Sequence, residues 1–174
     1  MADWNAVPRR AQLGIRIAAA DAGPLTATLG VAALPGAGQR LAWTGGDLLW
    51  LGPTEYLLLG SFAERSEWKG AVSAGVGDRG AVIDLSASRL EFELSGPGCR
   101  EVLRASTAID TDPSIFGVGQ VASTLVARIP AVIFPVDDRP GYRILVRPSF
   151  ASYLTDWMTD AIRGVAGLAR VTDR

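Results

Sequence analysis

Residues 81–103 read AVIDLSASRLEFELSGPGCREVL. From Arg89 to Ser95 this stretch alternates, with Leu90, Phe92 and Leu94 on one side and Glu91 and Glu93 on the other. A period of two predicts a half-buried strand with Leu90, Phe92 and Leu94 facing inward. Gly96 breaks the strand. Pro97 suits the first turn of a helix, where its missing N–H leaves nothing unsatisfied, and Cys99, Val102 and Leu103 follow at helical spacing. The segment is a strand-to-helix corner, with the helix expected over 97–105. Asp84, Ser86, Ser88 and the Gly96–Pro97–Gly98 loop stand close together in it, so the corner is either a phosphate cradle built from glycine N–H groups or scaffolding. There is no G-x-G-x-x-G and no lysine of a Walker loop, which favours scaffolding.

Working upstream, GAVIDLS (80–86) reads as a short, mostly buried strand, and SFAERSEWKGAVSAG (61–75) as a helix with Ser61 and Glu64 at capping-box spacing. LLWLG (48–52) and EYLLLG (55–60) flank Pro53 and Thr54, the signature of a tight hairpin. LPGAGQRLAWTGGD (34–47) is rich in turn residues and reads as a loop. DAGPLTATLGVAA (21–33) predicts a helix with Asp21 as its cap and Leu25, Leu29 and Ala32 as its apolar stripe. QLGIRIAA (12–19) predicts the first strand. The order is βαββαβ.

Downstream, the order repeats with strands QVASTLVARI (120–129), AVIFPVD (131–137) and YRILV (142–146). A long helix starts near Ser149, because Phe150, Tyr153, Leu154, Trp157, Met158, Ala161, Ile162 and Val165 recur at i, i+3, i+4 and i+7. LARVT (168–172) predicts a closing strand. The expected fold is α+β: two βαββαβ, ferredoxin-like units with antiparallel sheets and helices on one face of each. The whole chain of 174 residues is expected to be one domain, with halves at about 11–86 and 89–172.

Hydrophobic residues make up 48% of the chain, ample for a core, and the formal charge is -1. With a pI near 5.4 and no basic run longer than Arg9–Arg10, nothing draws the chain toward nucleic acid or anionic lipid. MADWNAVPRRAQLG (1–14) lacks the apolar stretch of a leader, and no later segment has the length and apolarity of a membrane span, so a cytoplasmic protein is expected. Histidine is absent, which removes the usual neutral-pH base and the commonest metal ligand. Ser-His and Cys-His catalysis within the chain are excluded. Cys99 stands alone, so there is no intrachain disulfide or cysteine zinc site, and its inner position on a helix reads as a small core residue.

Several side chains still invite chemistry. Asp84 ends an apolar strand, where a carboxylate must be paired or hydrogen-bonded; it serves as a general base or cation ligand, or it caps the next turn through Ser86, the favoured reading. Asp137 and Asp138 are adjacent in PVDDRPGYR (135–143), and neighbours along a strand point to opposite faces, so they read as turn residues rather than a shared site. Arg143 and Arg147 share one face of their strand and suit a solvated face or an anionic partner. Trp4, in a polar terminal segment, and Trp43, between glycines and prolines, lie outside the periodic positions. Aromatics so placed are enriched at protein interfaces, and Trp4, Trp43, Arg143 and Arg147 are the expected partner contacts.

LLWLGPTEYLLLG (48–60), VIDLSASRLEFELSGPGCREVLRASTAIDTDPSIFGVGQ (82–120) and YRILVRPSFASYLTDWM (142–158) together resemble the gamma subunit of heterotetrameric sarcosine oxidase, a relative of the glycine-cleavage T-protein and its folate-binding fold. The likeness runs from about residue 11 to residue 165. LGPTEY combined with RPSFASYL carries its specificity, whereas IDLS, LSGPG and LR mark only the wider T-protein superfamily. The resemblance implies membership of a complex that oxidatively demethylates sarcosine to glycine. Its partners would be the alpha, beta and delta subunits, with FAD, FMN, NAD and tetrahydrofolate bound by those subunits and none on this chain. In the T-protein a catalytic aspartate stands in the strand that matches ARIPAVIFPV (127–136), where this chain has Val132, Ile133 and Phe134. The resemblance therefore implies a non-catalytic subunit that stabilises or orients catalytic partners, with no catalytic, cofactor-binding or metal residues of its own. The alternative is a stand-alone folate-dependent aminomethyltransferase-like enzyme. A T-protein-like factor of iron–sulfur assembly is a third reading, but that group's cysteine signature has no counterpart around Cys99.

Overall fold

A computed structural model describes residues 1–137 and 139–172, with side chains up to residue 168. The strands are β1 (Asp3–Ala6), β2 (Ala11–Ile17), β3 (Arg40–Trp43), β4 (Gly46–Gly52), β5 (Glu55–Gly60), β6 (Gly80–Asp84), β7 (Leu90–Ser95), β8 (Ala122–Val126), β9 (Ile129–Pro135) and β10 (Gly141–Val146). The helices are α1 (Gly23–Leu29), α2 (Arg65–Val76), α3 (Cys99–Ser106) and α4 (Ala151–Thr172). The chain divides into two units, one of Arg9–Ala87 and one of Met1–Pro8 with Ser88–Arg174.

The Arg9–Ala87 unit is an antiparallel sheet ordered β3-β4-β5-β2-β6. Leu13, Ile15, Leu48 and Leu58 from its strands meet Leu25 and Leu29 of α1 and Val72 and Val76 of α2, so both helices cover one face. Leu57, Leu58 and Leu59 are all fully buried, so β5 is apolar on both faces, as its unbroken leucine run requires.

The second unit is an antiparallel sheet ordered β1-β7-β10-β9-β8. Phe92, Leu94, Ile133 and Ile144 face Val102 and Leu103 of α3 and Leu154 and Met158 of α4. Leu154, Met158 and Ile162 of the α4 stripe are thus buried on the sheet, with Phe150, Trp157, Ala161 and Val165 partly buried beside them, whereas Tyr153 is 46% exposed.

The fold class is the one expected, two antiparallel sheets with helices on one face of each. Each half carries one strand more than βαββαβ. In the first half β3 is the added strand, so Trp43 lies in a strand rather than a loop; its pairing with β4 through Leu41↔Leu48 and Ala42↔Asp47 outweighs the surrounding turn residues. In the second half β1 is the added strand, and QVASTLVARI runs past the end of β8 into the start of β9. It breaks at Ala127 and Arg128, both at positive φ (49 and 68), which makes a two-residue hairpin turn without the glycine or asparagine that normally signals one. The Tyr153 hydroxyl donates to the Ala127 carbonyl at 3.0 Å and braces this unfavourable backbone.

The closing strands are corrected most. LARVT continues α4 to Thr172 instead of forming a strand. The place beside β7 that corresponds to β6 beside β2 is taken by β1, from the opposite end of the chain. Trp4 holds it there, stacked on Phe92 with ring centroids 4.8 Å apart and planes at 7°. β6 is an edge strand, not a buried one, and leaves Ile83 56% exposed. In β7, Leu90 is 44% exposed while Glu91 is buried, because Phe92 and Leu94 alone reach the helix-covered core.

The predicted caps also fail. Asp21 closes a short 3-10 turn (Ala19–Asp21), and α1 begins beyond it without a side-chain cap. Ser61 and Glu64 do not form a capping box, because α2 starts at Arg65.

Candidate functional site

Asp84 sits at the last residue of β6, where the chain turns toward β7. Its carboxylate accepts the Ser86 backbone N–H at 2.9 Å and pairs with Arg65 at 3.3 Å, while the buried Ser86 hydroxyl accepts the Gln12 N–H of β2 at 3.0 Å. The Ser86 hydroxyl and then the Ser86 N–H hold the Asp84 carboxyl below the usual carboxylate range, with Arg65 and Lys69 adding to the effect. A general base working near neutrality needs the opposite shift. The geometry is that of a turn tied to β2. Asp84→Asn is therefore expected to cost about 1 kcal/mol at neutral pH. Because the folded pKa lies below the unfolded value, this contribution is present above pH ~4 and is lost as pH falls through the folded pKa. Urea melts of parent and variant should differ at pH 7 and converge in acid.

Gly96 and Gly98 adopt φ of 81 and 87, a left-handed conformation in which glycine carries no Cβ penalty. The Cys99 N–H returns to the Gly96 carbonyl at 3.1 Å, and Gly98 caps α3, so Pro97 precedes the helix instead of opening it. Cys99 is fully buried, and burial pushes its thiol up, away from the reactive thiolate. Asp137 accepts the Arg139 N–H at 2.9 Å and pairs with its guanidinium, which holds the carboxyl low. That is a turn residue's environment; Asp138 lies outside the described residues. No group of three His, Cys, Asp or Glu among the described residues is arranged to hold a metal ion.

On β9, Val132, Ile133 and Phe134 are all buried. The chain thus presents apolar packing, not a carboxylate, at the position the T-protein resemblance singled out.

Of the four expected partner contacts, Trp43 belongs to the Arg9–Ala87 unit and Trp4, Arg143 and Arg147 to the other. Trp4 stacks on Phe92 and donates its indole N–H to Thr155 of α4 at 3.3 Å. Trp43 meets Trp68 of α2 edge to face, centroids 5.1 Å apart. Arg143 pairs with Glu93 directly across the strand at 2.8 Å and with Glu91 at 3.4 Å. Arg147, one residue beyond β10, is exposed. Sequence reasoning missed a largely enclosed charge cluster, Asp47 held between Arg10 at 2.8 Å and Arg40 at 2.7 Å. A carboxylate inside the strand GDLLWLG was the available signal, but its partners come from β3 and from a residue 37 positions away.

No helix among the described residues is long and apolar enough to cross a membrane. A family model described as the sarcosine oxidase, gamma subunit family matches residues 16–164. Sarcosine oxidase subunit gamma of Arthrobacter sp is 37% identical over 155 residues, spanning 87% of this chain and 75% of that one. The subunit gamma of Corynebacterium sp. (strain P-1) is 36% identical over 157 residues with the same coverage. Among solved structures, a chain of the heterotetrameric sarcosine oxidase from Corynebacterium sp. U-96, in complex with pyrrole 2-carboxylate, aligns with a TM-score of 0.85 and 32% identity over 94% of this chain and 85% of that chain. The glycine cleavage system aminomethyltransferase T from Bartonella henselae aligns with a TM-score of 0.70 at 18% identity, over 90% of this chain and 45% of that one, a likeness of fold.

Proposed function

Since the chain belongs to the sarcosine oxidase gamma subunit family, we propose that it is the non-catalytic gamma component of a heterotetrameric complex that oxidatively demethylates sarcosine to glycine. In this reading the alpha, beta and delta subunits carry the flavin, NAD and tetrahydrofolate chemistry, and this chain, acting as one module, holds or orients them. The observation that carries the reading is the apolar run of Val132, Ile133 and Phe134 on β9, where the resemblance places the T-protein's catalytic carboxylate. Lacking histidine, the chain is without the usual neutral-pH base to stand in for that carboxylate, and burial pushes the thiol of Cys99 up, away from the thiolate. Trp4, Trp43, Arg143 and Arg147 remain the proposed contact positions; the first three spend part of their surface on neighbours within their own unit, and Arg147 is the one most open to a partner.

The test is turnover of the purified complex carrying Cys99→Ser or Asp84→Asn. Both variants should lower thermal stability yet leave sarcosine turnover per assembled complex within about twofold of the parent. A correctly assembled Cys99→Ser complex that loses activity would assign the thiol a chemical role and overturn the non-catalytic reading.

A further inference from the structure

We propose that the open edge of β6 is a docking site, and that its occupant is an extended segment of a partner subunit, alternating acidic and apolar, which joins the Arg9–Ala87 sheet as a sixth strand. The proposal rests on the reading of the chain as a subunit. β6 ends the sheet order and pairs only with β2. The ladder fixes which of its backbone groups are already used. Leu85 donates its N–H to the Gln12 carbonyl, whereas Ile17 donates to the Thr54 carbonyl just before β5. Residues 12, 14 and 16 of β2 therefore bond toward β6 and residues 13, 15 and 17 toward β5. Ile83 and Ala81 spend their N–H and C=O groups on Gly14 and Arg16. Val82 and Asp84, opposite Ile15 and Leu13, turn theirs away from the sheet, and no backbone partner among the described residues takes them up.

An unpaired edge invites another strand, and proteins commonly blunt it with a lysine or proline on the strand or with a bulge. β6 (GAVID) has none of these: its register with β2 is unbroken, Ile83 is 56% exposed, and its one charge, Asp84, is paired with Arg65 at 3.3 Å. The charges beside the edge select the occupant. Arg65 and Lys69 lie one turn apart on the side of α2 that meets Asp84, and Glu67 lies on the opposite side of the helix. Arg9 stands over the Phe62 ring, 4.6 Å from its centroid, and donates its Nε–H to the Ser86 carbonyl just past the strand. Arg65 approaches the same ring at 5.0 Å. Arg9 and Lys69 are exposed, and even with Glu64 at the start of α2 the group of charges stays net positive. A strand added beside β6 sets alternate side chains on the α2 side, toward Arg9 and Lys69, and the others beside Ile83 on the opposite face. Acidic residues suit the first set and apolar residues the second. A second copy pairing through its own β6 would bring the same α2 cations to the seam, and like charges there disfavour it.

The experiment follows amide hydrogen exchange at Val82 and Asp84 in the full chain, alone and assembled with its purified partner subunits, together with the affinity of that assembly. Both amides should exchange freely in the chain alone and slow at least about tenfold in the complex. Val82→Pro deletes an N–H that faces away from β2, a place where edge strands accept proline, and should weaken binding at least about tenfold. Lys69→Glu should weaken it at least about threefold, and Arg163→Glu, exposed on α4 of the other unit, less than about twofold. Should Val82→Pro lower the melting temperature, Lys69→Glu and the exchange of the parent decide the matter. If the parent binds its partners while both amides stay fast in the complex, the docking edge is wrong and the subunit reading stands. Failure of the parent chain itself to bind overturns the subunit reading. If the chain alone dimerises and Val82→Pro abolishes the dimer, the edge takes a second copy and the partner-segment occupant is refuted.

Discussion

Gly60→Ala is expected to destabilise the Arg9–Ala87 unit by about 3 kcal/mol or more, a large cost for one methyl group. A Cβ at Gly60 would lie 1.4 Å from Cζ3 of Trp68. Trp68 cannot simply retreat, since it packs edge to face on Trp43, whose own ring lies over Gly45 with Cη2 2.2 Å from where a Cβ would stand there. Expelling the ring forfeits the packing of a tryptophan, and shifting β5 disturbs the central strand of the sheet. A double-mutant cycle separates this from a general intolerance of Gly60 to substitution. Trp68→Ala is costly alone, but on that background Gly60→Ala should cost less than about 1 kcal/mol, giving a coupling energy of several kcal/mol. Denaturant melts showing Gly60→Ala to be mild in the parent would mean that Trp68 does not lie on the glycine.

Leu154→Ala should cost about 2–5 kcal/mol, which is a substantial part of the stability of a typical domain. Leu154 is completely buried where α4 crosses the sheet, in the cluster that includes Ile133, Ile144 and Met158. The substitution should lower the melting temperature and the yield of assembled complex together. By contrast Tyr153→Phe, which removes only the hydroxyl bond to the Ala127 carbonyl, should cost about 1 kcal/mol. Equal effects of the two would place the weight on the strained hairpin and not on the helix core.

These outcomes track how much of the molecule was legible in its sequence. The Pro53–Thr54 hairpin and the α4 stripe were readable because each is encoded by contiguous residues, a leucine-rich strand pair around a turn and a helical period. The two added strands were not, because their signals are tertiary. DWNA becomes β1 only when Phe92, nearly ninety positions on, offers Trp4 a stacking surface, and RLAW becomes β3 only by pairing with β4. Ala127 and Arg128 turn the chain at positive φ with no glycine or asparagine to announce it, so the expected boundary between these two strands fell at Pro130 instead. The capping motifs misled for the reverse reason, being local patterns that the helix starts at Gly23 and Arg65 left outside. At the candidate site, the scaffold role of Asp84 and Ser86 was visible from spacing alone. The Arg10–Asp47–Arg40 cluster was not, because three separate strands or their flanks bring it together.

Native mass spectrometry of the complex captured from its host by a tag on this chain tests the central claim most directly. The account predicts one copy of the chain in a heterotetramer with flavin-bearing subunits that reduces its flavin on addition of sarcosine. A chain recovered alone and monomeric, with no flavoprotein at any salt concentration, would contradict the subunit assignment and favour the stand-alone aminomethyltransferase-like enzyme.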